Sequence, residues 1–592
     1  MTLHLIAAFV VTLALFAVES AASSPANRHY NAGDDVPLFV NKVGPFRNPS
    51  ETYEFYELPF CRPDRVIQTK QTLGEVLNGD RLANALYDLK FLEAKSRATL
   101  CQKKLTQGDI RRFRQVILND YYFQMYYDDL PLWGFIGKTE EQSWVLEDGN
   151  KLKFYLFKHV NFDVLYNGDQ VIEINALGDP NDAVDITDDA AELDVEFTYS
   201  VSWYETSTVY QYRMARYTRA SLLAVHKKIH WLSFVNSAVI LLLLMGLLIA
   251  FFFRRLRNDL RMSSSGDDEG EDKEVGWKYV HGDVFRHPQN MSLFCAFLAT
   301  GAQLLTMAFL LFVLAFVGTL YPYNRGALCT ACVMVYALTS VVGGYISASF
   351  HSQFEATGWG KTVFLTGILY LGPFFITMSI LNTVAVSYGA TAGLPFGTIM
   401  VVLLICVFLA FPLLILSGII GYTFRSEFQP PSAPKRHPRE IPKLGWYRKT
   451  LPQMLLAGLL PSSAVALELH SLYTTFWGYK ITTLPAILFV SFAILCLLTA
   501  ILSIGMTYIQ LSVEDHQWWW RTVLRGGSPA IFMLLYSVYF FSRSSMSGIL
   551  QTSFFFGYTA CLCYGIFLML GAVSFCASFV FVCRIYRAVK YE

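Results

Sequence analysis

The sequence predicts a multi-domain membrane protein, in which a β-rich domain precedes an all-α bundle of nine transmembrane helices. Of its 592 residues, 54% are hydrophobic and 16% are charged, whereas soluble domains carry about 25% charged residues. Charged residues are dense up to residue 290 and are confined to short segments after it. Apolar and polar residues alternate in several stretches of the first part, which predicts strands. Long apolar runs in the second part predict membrane-spanning helices.

An apolar run at the N-terminus covers residues 3–18, and Ser20, Ala21 and Ala22 follow shortly after it. This pattern predicts a signal peptide over residues 1–22, cleaved after Ala22, so that the following domain enters the secretory lumen. A retained first helix is the alternative, but the run is short for a helix that must cross ~30 Å of hydrocarbon.

A lumenal, β-rich domain is predicted over residues 23–230. Three stretches alternate with a period of two, and two others have helical patterns, so we expect a sandwich-like arrangement of strands with a few helices. The alternating stretches are residues 151–157, 169–174 and 193–203, and the helical patterns cover residues 74–91 and 107–118.

Two of the eleven cysteines, Cys61 and Cys101, fall in this predicted lumenal domain. Oxidising compartments favour disulfide bonds, so an isolated pair of cysteines there predicts a disulfide between Cys61 and Cys101. The alternative is a pair of buried thiols. The other nine cysteines begin at Cys295 and lie in the apolar second part of the chain.

Nine apolar segments are each long enough to cross the bilayer. The first, residues 231–253, precedes a cytosolic linker over residues 254–290. The other eight form a predicted bundle over residues 291–583, which leaves a tail over residues 584–592. The eight segments of the bundle are residues 291–318, 327–350, 362–386, 394–424, 451–475, 483–511, 528–548 and 554–583.

The distribution of Lys and Arg predicts the orientation of the spans, because cytosolic loops are enriched in both. If the N-terminal domain is lumenal, the cytosolic segments hold 20 Lys and Arg, and the opposite short loops hold 3. The C-terminus then lies in the cytosol, because the number of spans is odd. Three consecutive tryptophans, Trp518 to Trp520, lie in the cytosolic loop 512–527. We interpret them as part of an aromatic belt that anchors the protein in the membrane.

Glu468 is the only acidic residue that the predicted spans place in the hydrocarbon region. The helical rise puts it roughly 25 Å from the cytosolic start of its span and puts Arg543 at roughly 24 Å in another. The two residues thus share a depth and could pair. Ionisable residues in a membrane are costly and often functional, so one interpretation is a cargo-recognition cleft or a polar permeation path. The other, which we favour, is a structural ion pair or two side chains that reach the lumenal interface.

Seven blocks are distributed over nearly the whole mature chain: residues 30–37, 40–45, 56–61, 73–80, 276–288 (GWKYVHGDVFRHP), 518–521 and 584–592. They resemble the nonaspanins, also called the transmembrane 9 superfamily, and the ending is most similar to plant-type endomembrane members. The resemblance implies residence in Golgi and endosomal membranes. It also implies a role in the sorting or membrane delivery of other membrane proteins, including cargo with glycine-rich spans.

The C-terminal residues Lys590, Tyr591 and Glu592 resemble the Lys-x-Asp/Glu terminus of that family. The resemblance implies that the COPI coat reads these residues as a Golgi retention signal. Lys590 supplies a cation and Glu592 carries two carboxylates, and such groups form strong charge-assisted hydrogen bonds. The alternative is a basic anchor, in which Arg584 and Arg587 contact lipid headgroups.

Two functions from different classes follow from these features. The first is a Golgi and endosomal protein that sorts membrane-protein cargo and binds COPI through its tail. The second is a channel, transporter or lipid-moving protein that uses the polar site around Glu468. The sequence contains no catalytic constellation, metal-binding set or cofactor motif, so no enzyme activity, metal or cofactor is expected. A net charge of +1 without a basic stripe argues against nucleic-acid binding.

Overall fold

The structure is a computed structural model of the 592-residue chain. It describes residues 28–141, 152–188, 192–213, 227–264, 277, 280–320, 326–355, 357–425, 428–431, 439–442, 445–477 and 485–588. The predicted signal peptide over residues 1–22 and the tail residues Lys590, Tyr591 and Glu592 lie outside these ranges. The described residues form a β-rich N-terminal region and a helical C-terminal region, as the sequence predicts.

The described part of the N-terminal region contains twelve strands: β1 Leu38–Pro45, β2 Tyr53–Glu54, β3 Ala83–Asn84, β4 Lys95–Thr106, β5 Tyr121–Tyr127, β6 Leu130–Phe135, β7 Gly137–Glu141, β8 Leu152–Phe157, β9 His159–Asn167, β10 Gln170–Gly178, β11 Ala183–Asp185 and β12 Glu192–Glu205. The first sheet has the order β2-β1-β5-β6, with β3 also paired to β1; the second is β10-β9-β12-β4, and the third is β11-β8-β7. The β-rich character is confirmed. A two-sheet sandwich is not, because the described strands form three sheets.

Two short helices accompany the strands, α1 (Leu73–Leu77) and α2 (Gln107–Leu118), and each begins with a capping box. The helix predicted over residues 107–118 is thereby confirmed. The helical pattern over residues 74–91 is wrong beyond its first turn. Gly79 adopts a φ of +74°, a left-handed conformation that ends a helix, and β3 follows.

One hydrophobic core joins the sheets, and Val43, Phe113 and Phe162 are fully buried in it. The sulfur atoms of Cys61 and Cys101 form a disulfide next to this core, with the two Cα atoms 6.1 Å apart. Cys101 lies in β4 of the second sheet, and Cys61 lies 40 residues earlier in the chain. The bond therefore ties the segment after β2 to the second sheet.

Among the described residues, the C-terminal region contains twelve α-helices: α3 Lys227–Ser264, α4 Met291–Val317, α5 Ala327–His351, α6 Trp359–Ser387, α7 Phe396–Ile405, α8 Phe411–Thr423, α9 Thr450–Ala464, α10 Ala466–Trp477, α11 Pro485–Ser512, α12 Trp519–Gly527, α13 Pro529–Arg543 and α14 Ile549–Ala588. A π-helical turn, Cys406–Ala410, joins α7 to α8. Several helix pairs approach closely at glycine. A Cβ on Gly344 of α5, for example, would lie 2.1 Å from the Leu414 carbonyl oxygen of α8.

Seven candidate spans in the described residues are long and apolar enough to cross a membrane, namely α4, α5, α6, α7 with α8, α11, α12 with α13, and α14. The pair α9 and α10 passes the same test together but is bent by 68°, so it is an eighth span if it crosses as one. The predicted first span, residues 231–253, lies within α3, whose apolar part, Ala238–Phe251, is shorter than the others. Nine spans are therefore not confirmed.

Two predicted spans have different boundaries in the structure. The span predicted over residues 528–548 begins earlier, because α12 and α13 together form one apolar span, Trp519–Arg543. The last helix, predicted over residues 554–583, extends over Ile549–Ala588 and has 40 residues. At 1.5 Å per residue it is ~60 Å long, about twice the thickness of the hydrocarbon layer.

Candidate functional site

The β-rich domain contacts the loop between α6 and α7 through backbone and side-chain hydrogen bonds. The Thr391 N–H donates to the Thr52 carbonyl oxygen over 2.8 Å, and the hydroxyl oxygens of the two threonines lie 2.6 Å apart. The Arg81 Nη2 atom donates to the Gly393 carbonyl oxygen over 2.8 Å. This loop is therefore held at two points by the β-rich domain.

A second contact fixes the loop that precedes α14. The Asn48 Nδ2 atom donates to the Ser547 carbonyl oxygen over 2.8 Å, and the Ser547 N–H donates to Asn48 Oδ1 over 3.0 Å. The Ser50 N–H donates to the Oε1 atom of Gln551, in the first turn of α14, over 2.9 Å. The N-terminal end of α14 is therefore attached directly to the β-rich domain.

A third contact brings two backbones together where α1 meets the start of α5. A Cβ on Gly74 would lie 2.0 Å from the Gly326 carbonyl oxygen, and Gly326 itself has a φ of +64°. Glycine is required at both positions, because a side chain at either would separate the two helices or strain the backbone. The loops before α5, α7 and α14 thus lie on one side of the helical domain. This agrees with the sequence prediction, in which successive loops alternate between the two faces of the membrane.

Glu468 lies next to the break in the sixth predicted span. The helical path bends by 68° between α9 and α10 at Val465, and Glu468 is buried in the first turn of α10. The depth calculated from a continuous helix therefore does not apply to this residue. The helix dipole favours an acidic side chain in the first turn of a helix, so the break gives Glu468 a favourable position inside the helical domain.

The structure does not join Arg543 to Glu468. Arg543 is the last residue of α13 and is exposed, and its guanidinium lies 6.0 Å from the centroid of the Tyr539 ring. No ion pair links it to Glu468 among the described residues. His470 contacts a different residue of α13, with its Nδ1 atom 2.8 Å from the Tyr536 hydroxyl oxygen.

Sequence reasoning missed a buried cation near the start of the span Trp519–Arg543. Arg525 was counted in a loop, but its side chain is buried in α12. Its Nη2 atom donates to Gln510 Oε1 over 2.7 Å, and its Nη1 atom donates to Gln453 Oε1 over 3.2 Å. Arg525 therefore links α12 to α11 and also to α9, the first half of the broken span.

Buried hydroxyl groups continue this polar cluster into the helical bundle. The Ser503 hydroxyl of α11 lies 2.7 Å from the hydroxyls of both Ser574 and Ser578 of α14. Thr507 donates to Ser578 over 3.1 Å and lies 3.3 Å from Thr522 of α12. The cluster is the polar core of the contact between α11, α12 and α14.

The aromatic-belt interpretation of the three tryptophans is wrong for Trp518 and Trp519, which are buried inside the protein. Their indole N–H groups donate to the Val284 carbonyl oxygen over 3.0 and 3.3 Å. The half-buried Trp520 donates to the Gln289 carbonyl oxygen over 3.1 Å. The tryptophans thus hold the segment that precedes α4, on the side of the helical domain opposite the β-rich domain.

Known proteins match the chain over most of its length. The family model described as Endomembrane protein 70 matches residues 52–549. Transmembrane 9 superfamily member 5 of Arabidopsis thaliana is 56% identical, and the match covers 96% of both chains. Member 4 from the same plant is 51% identical over 98% of both chains. Member 1 of Bos taurus is 40% identical over 95% of this chain and 94% of the relative. No solved structure matches.

The chain belongs to the transmembrane 9 superfamily. The family resemblance of the sequence blocks is thereby confirmed, and plant members are among the matching relatives. The family and the seven apolar helices together establish a multi-pass membrane protein. None of the relatives' names refers to an enzymatic activity.

In this superfamily member, the C-terminal helix continues into the predicted tail. Residues 584–588 belong to α14, and Tyr586 is buried. The Tyr586 hydroxyl donates to the Trp277 carbonyl oxygen over 2.6 Å, and its ring centroid lies 5.9 Å from that of Phe285. The last turns of α14 are therefore packed against the segment that precedes α4.

Proposed function

We propose that this transmembrane 9 superfamily member sorts other membrane proteins in Golgi and endosomal membranes. The β-rich domain lies in the lumen and the C-terminus in the cytosol, an orientation supported by the distribution of Lys and Arg. The observation that carries the proposal is the path of α14. It begins at the β-rich domain, through Gln551, and ends on the opposite side of the helical domain, where Tyr586 contacts Trp277.

The Lys590-Tyr591-Glu592 end is the proposed COPI-binding signal. The last described helix ends at Ala588, two residues before Lys590, so the proposed signal follows directly after this helix in the sequence. The ammonium group of Lys590 and the two carboxylates of Glu592 offer three charged groups at a fixed spacing. Charge-assisted hydrogen bonds to such groups are roughly twice as strong as neutral ones.

The helical domain is the proposed binding partner of cargo spans, including glycine-rich ones. Ser379, Thr383 and Ser387 of α6 are spaced by four residues along one exposed stripe, and each hydroxyl donates to a backbone carbonyl of its own helix. Small residues allow a second helix to approach closely within a membrane. This stripe supports helix–helix recognition as the mode of cargo binding.

Localisation of the full-length protein tests the sorting signal. We expect the double variant Lys590→Ala, Glu592→Ala to lose Golgi residence while its abundance is preserved, because the two substitutions leave the buried Tyr586 and its contacts unchanged. Unchanged Golgi residence would contradict the proposed signal.

A matched variant separates the coat signal from a basic anchor. Arg584 and Arg587 are exposed on the last turns of α14, so their replacement by alanine removes two positive charges and leaves the Lys590–Glu592 end intact. We expect this control to keep Golgi residence. Equal mislocalisation of the control would favour the anchor over coat recognition.

Transport is a second candidate function, supported by the broken helix. Discontinuous helices form the binding sites of many secondary transporters, and ionisable residues within spans often mark transport pathways. Glu468 is buried next to such a break. This candidate is a channel, transporter or lipid-moving protein in which Glu468 contacts the transported species.

Reconstitution tests the transport candidate. Vesicles that contain the full-length protein are assayed for ion flux and for the movement of fluorescent phospholipid between leaflets. If the protein is a transporter, the unaltered protein should show ion flux or lipid movement. The Glu468→Gln variant should lose this activity, and the Glu468→Asp variant should retain part of it. The absence of any flux or lipid movement with the unaltered protein would rule against this candidate.

A further inference from the structure

The first sheet of the β-rich domain has two faces with different surroundings. Phe123 and Met125 in β5 lie in the hydrophobic core. Their neighbours Tyr122 and Gln124 point to the opposite face, because side chains alternate along a strand. This opposite face, which carries Tyr122 and Gln124, is termed the outer face.

The outer face is turned toward the helical domain. Gln124 Oε1 accepts a hydrogen bond from Asn41 Nδ2 over 3.1 Å, and Asn41 Oδ1 accepts one from the Arg81 N–H over 2.7 Å. The Arg81 guanidinium donates in turn to the Gly393 carbonyl oxygen over 2.8 Å. A chain of hydrogen bonds therefore leads from the outer face to the loop between α6 and α7.

Three aromatic residues, Phe46, Trp133 and Phe135, extend the outer face beyond this contact and are termed the aromatic patch. Trp133 and Phe135 lie directly opposite Gln124 and Tyr122 in the pairing of β5 with β6, and residues opposite each other share a face. The ring of Phe46 lies 5.8 Å from that of Phe135. Phe46, Trp133 and Phe135 are 45%, 43% and 48% exposed, so the described part of the chain leaves nearly half of each residue uncovered.

The aromatic patch lies beside a loop that joins two membrane helices. Phe46 is two residues from Asn48, whose side chain exchanges two hydrogen bonds with Ser547 between α13 and α14. The nearby charges compensate each other, because Arg47 pairs with Asp120 at 3.0 Å. An uncharged surface of Trp and Phe is typical of protein at the headgroup level of a bilayer.

We propose that the aromatic patch inserts into the membrane interface on the side that carries the β-rich domain. The bilayer is the occupant that fits, because the patch continues the contact between the outer face and loops that join membrane helices. Insertion removes apolar ring surface from water, which is favourable in proportion to the area buried. The β-rich domain is then held by lipid as well as by the loops before α5, α7 and α14.

Photocrosslinking of the full-length protein in phosphatidylcholine vesicles tests this contact. The photoreactive amino acid p-benzoylphenylalanine replaces the exposed Phe135 in one variant and the exposed Leu177 in a matched control. Leu177 is 60% exposed. Its neighbour Ala176 lies in the core, so Leu177 points away from the core, and it lies in the second sheet, outside the aromatic patch. We expect a several-fold higher yield of phospholipid adducts at position 135 than at position 177.

Equal yields at the two positions, or no phospholipid adduct at position 135, would overturn the proposal. An adduct at position 135 to a second copy of the chain, in place of lipid, would also overturn it and would indicate self-association. Replacing part of the phosphatidylcholine with anionic phospholipid should leave the yield at position 135 unchanged, because Arg47 and Asp120 neutralise each other. A yield that requires anionic lipid would contradict insertion driven by the aromatic rings.

Discussion

Asp128 of the β-rich domain and Arg525 of the helical domain are two buried charged side chains with different kinds of partner. The Asp128 carboxylate of the β-rich domain is fully buried and accepts hydrogen bonds from Arg213 over 2.6 Å and from Arg28 over 3.2 Å. In the helical domain, the buried guanidinium of Arg525 donates to neutral amide, hydroxyl and peptide oxygens among the described residues. Opposite charges thus compensate the buried Asp128, whereas dipoles surround the buried Arg525.

Replacement of Asp128 by alanine tests the first half of this comparison and has the largest expected effect. It leaves the buried Arg213 without its carboxylate partner, and breaking a buried ion pair in this way costs about 3–5 kcal/mol. We expect hydrogen exchange of the β5 and β6 amides, measured in the full-length protein, to show a free energy of opening lower by that amount.

The neighbouring Asp129 provides the matched control for this variant. Its side chain is 43% exposed and pairs with Arg28 at 3.1 Å, and exposed pairs of this kind contribute about 0–1 kcal/mol. Asp129→Ala should therefore change the exchange of β5 and β6 much less than Asp128→Ala. Similar effects of the two variants would show that the buried ion pair at Asp128 contributes no more stability than the exposed pair at Asp129.

Removal of the disulfide, as Cys61→Ala with Cys101→Ala, is expected to have the next largest effect. The bond closes a loop between residues 40 apart, and disulfides of this kind stabilise by about 2–4 kcal/mol. We expect hydrogen exchange to accelerate in β4 and in the segment around residue 61, while the helical domain keeps its protection. An equal loss of protection in α11 and α14 would mean that the two regions unfold as one unit.

Arg525→Met tests the second half of the comparison and has a smaller expected effect. Its loss leaves Gln453 and Gln510 without their donor, and a buried group that loses its partner costs about 1–3 kcal/mol. Thermal unfolding of the full-length protein in detergent should show a modest decrease in stability. A loss as large as that of Asp128→Ala would mean that Arg525 compensates a carboxylate after all.

The smallest expected effect is a pH dependence at the surface of the β-rich domain. Burial raises the pKa of the Asp182 carboxyl, but the hydrogen bond and charge of Lys158 and the charge of Arg97 outweigh burial and hold the pKa below its ordinary value. The stabilisation is therefore present above the ordinary pKa, near pH 4, and is lost as the pH falls through the lowered folded-state value. Unfolding midpoints measured from pH 6 down to pH 3 should converge for the unaltered protein and Asp182→Asn. A constant difference would contradict the proposed linkage.

The membrane helices were the most predictable part of the fold. Crossing the hydrocarbon layer requires about 20 consecutive apolar residues, a signal that a single segment carries without reference to the rest of the chain. The segment predicted over 291–318 is observed as Met291–Val317, and the segment predicted over 327–350 is observed as Ala327–His351. An alternating strand pattern is also carried by a single segment, so it identified the β-rich region. The number of sheets depends on how the strands pair, and the pattern did not determine it.

The candidate site was less predictable, because its features depend on partners that are distant in sequence. Trp518 resembles a belt residue locally, but its indole donates to Val284, which lies 234 positions earlier. The burial of Arg525 depends on Gln453 and Gln510 in two other helices. The neighbouring Gly526 and Gly527 are local signs of close packing, because a Cβ on either would meet a side chain of α14.

Binding of purified COPI coat to the full-length protein in nanodiscs tests the central claim most directly. The unaltered protein is compared with the variant that carries Lys590→Ala and Glu592→Ala. The proposal predicts that the variant binds at least ~10-fold more weakly, because each lost charge-assisted hydrogen bond is worth about 1.5–3 kcal/mol. Equal binding of the two proteins would contradict recognition of the Lys590–Glu592 end by the coat.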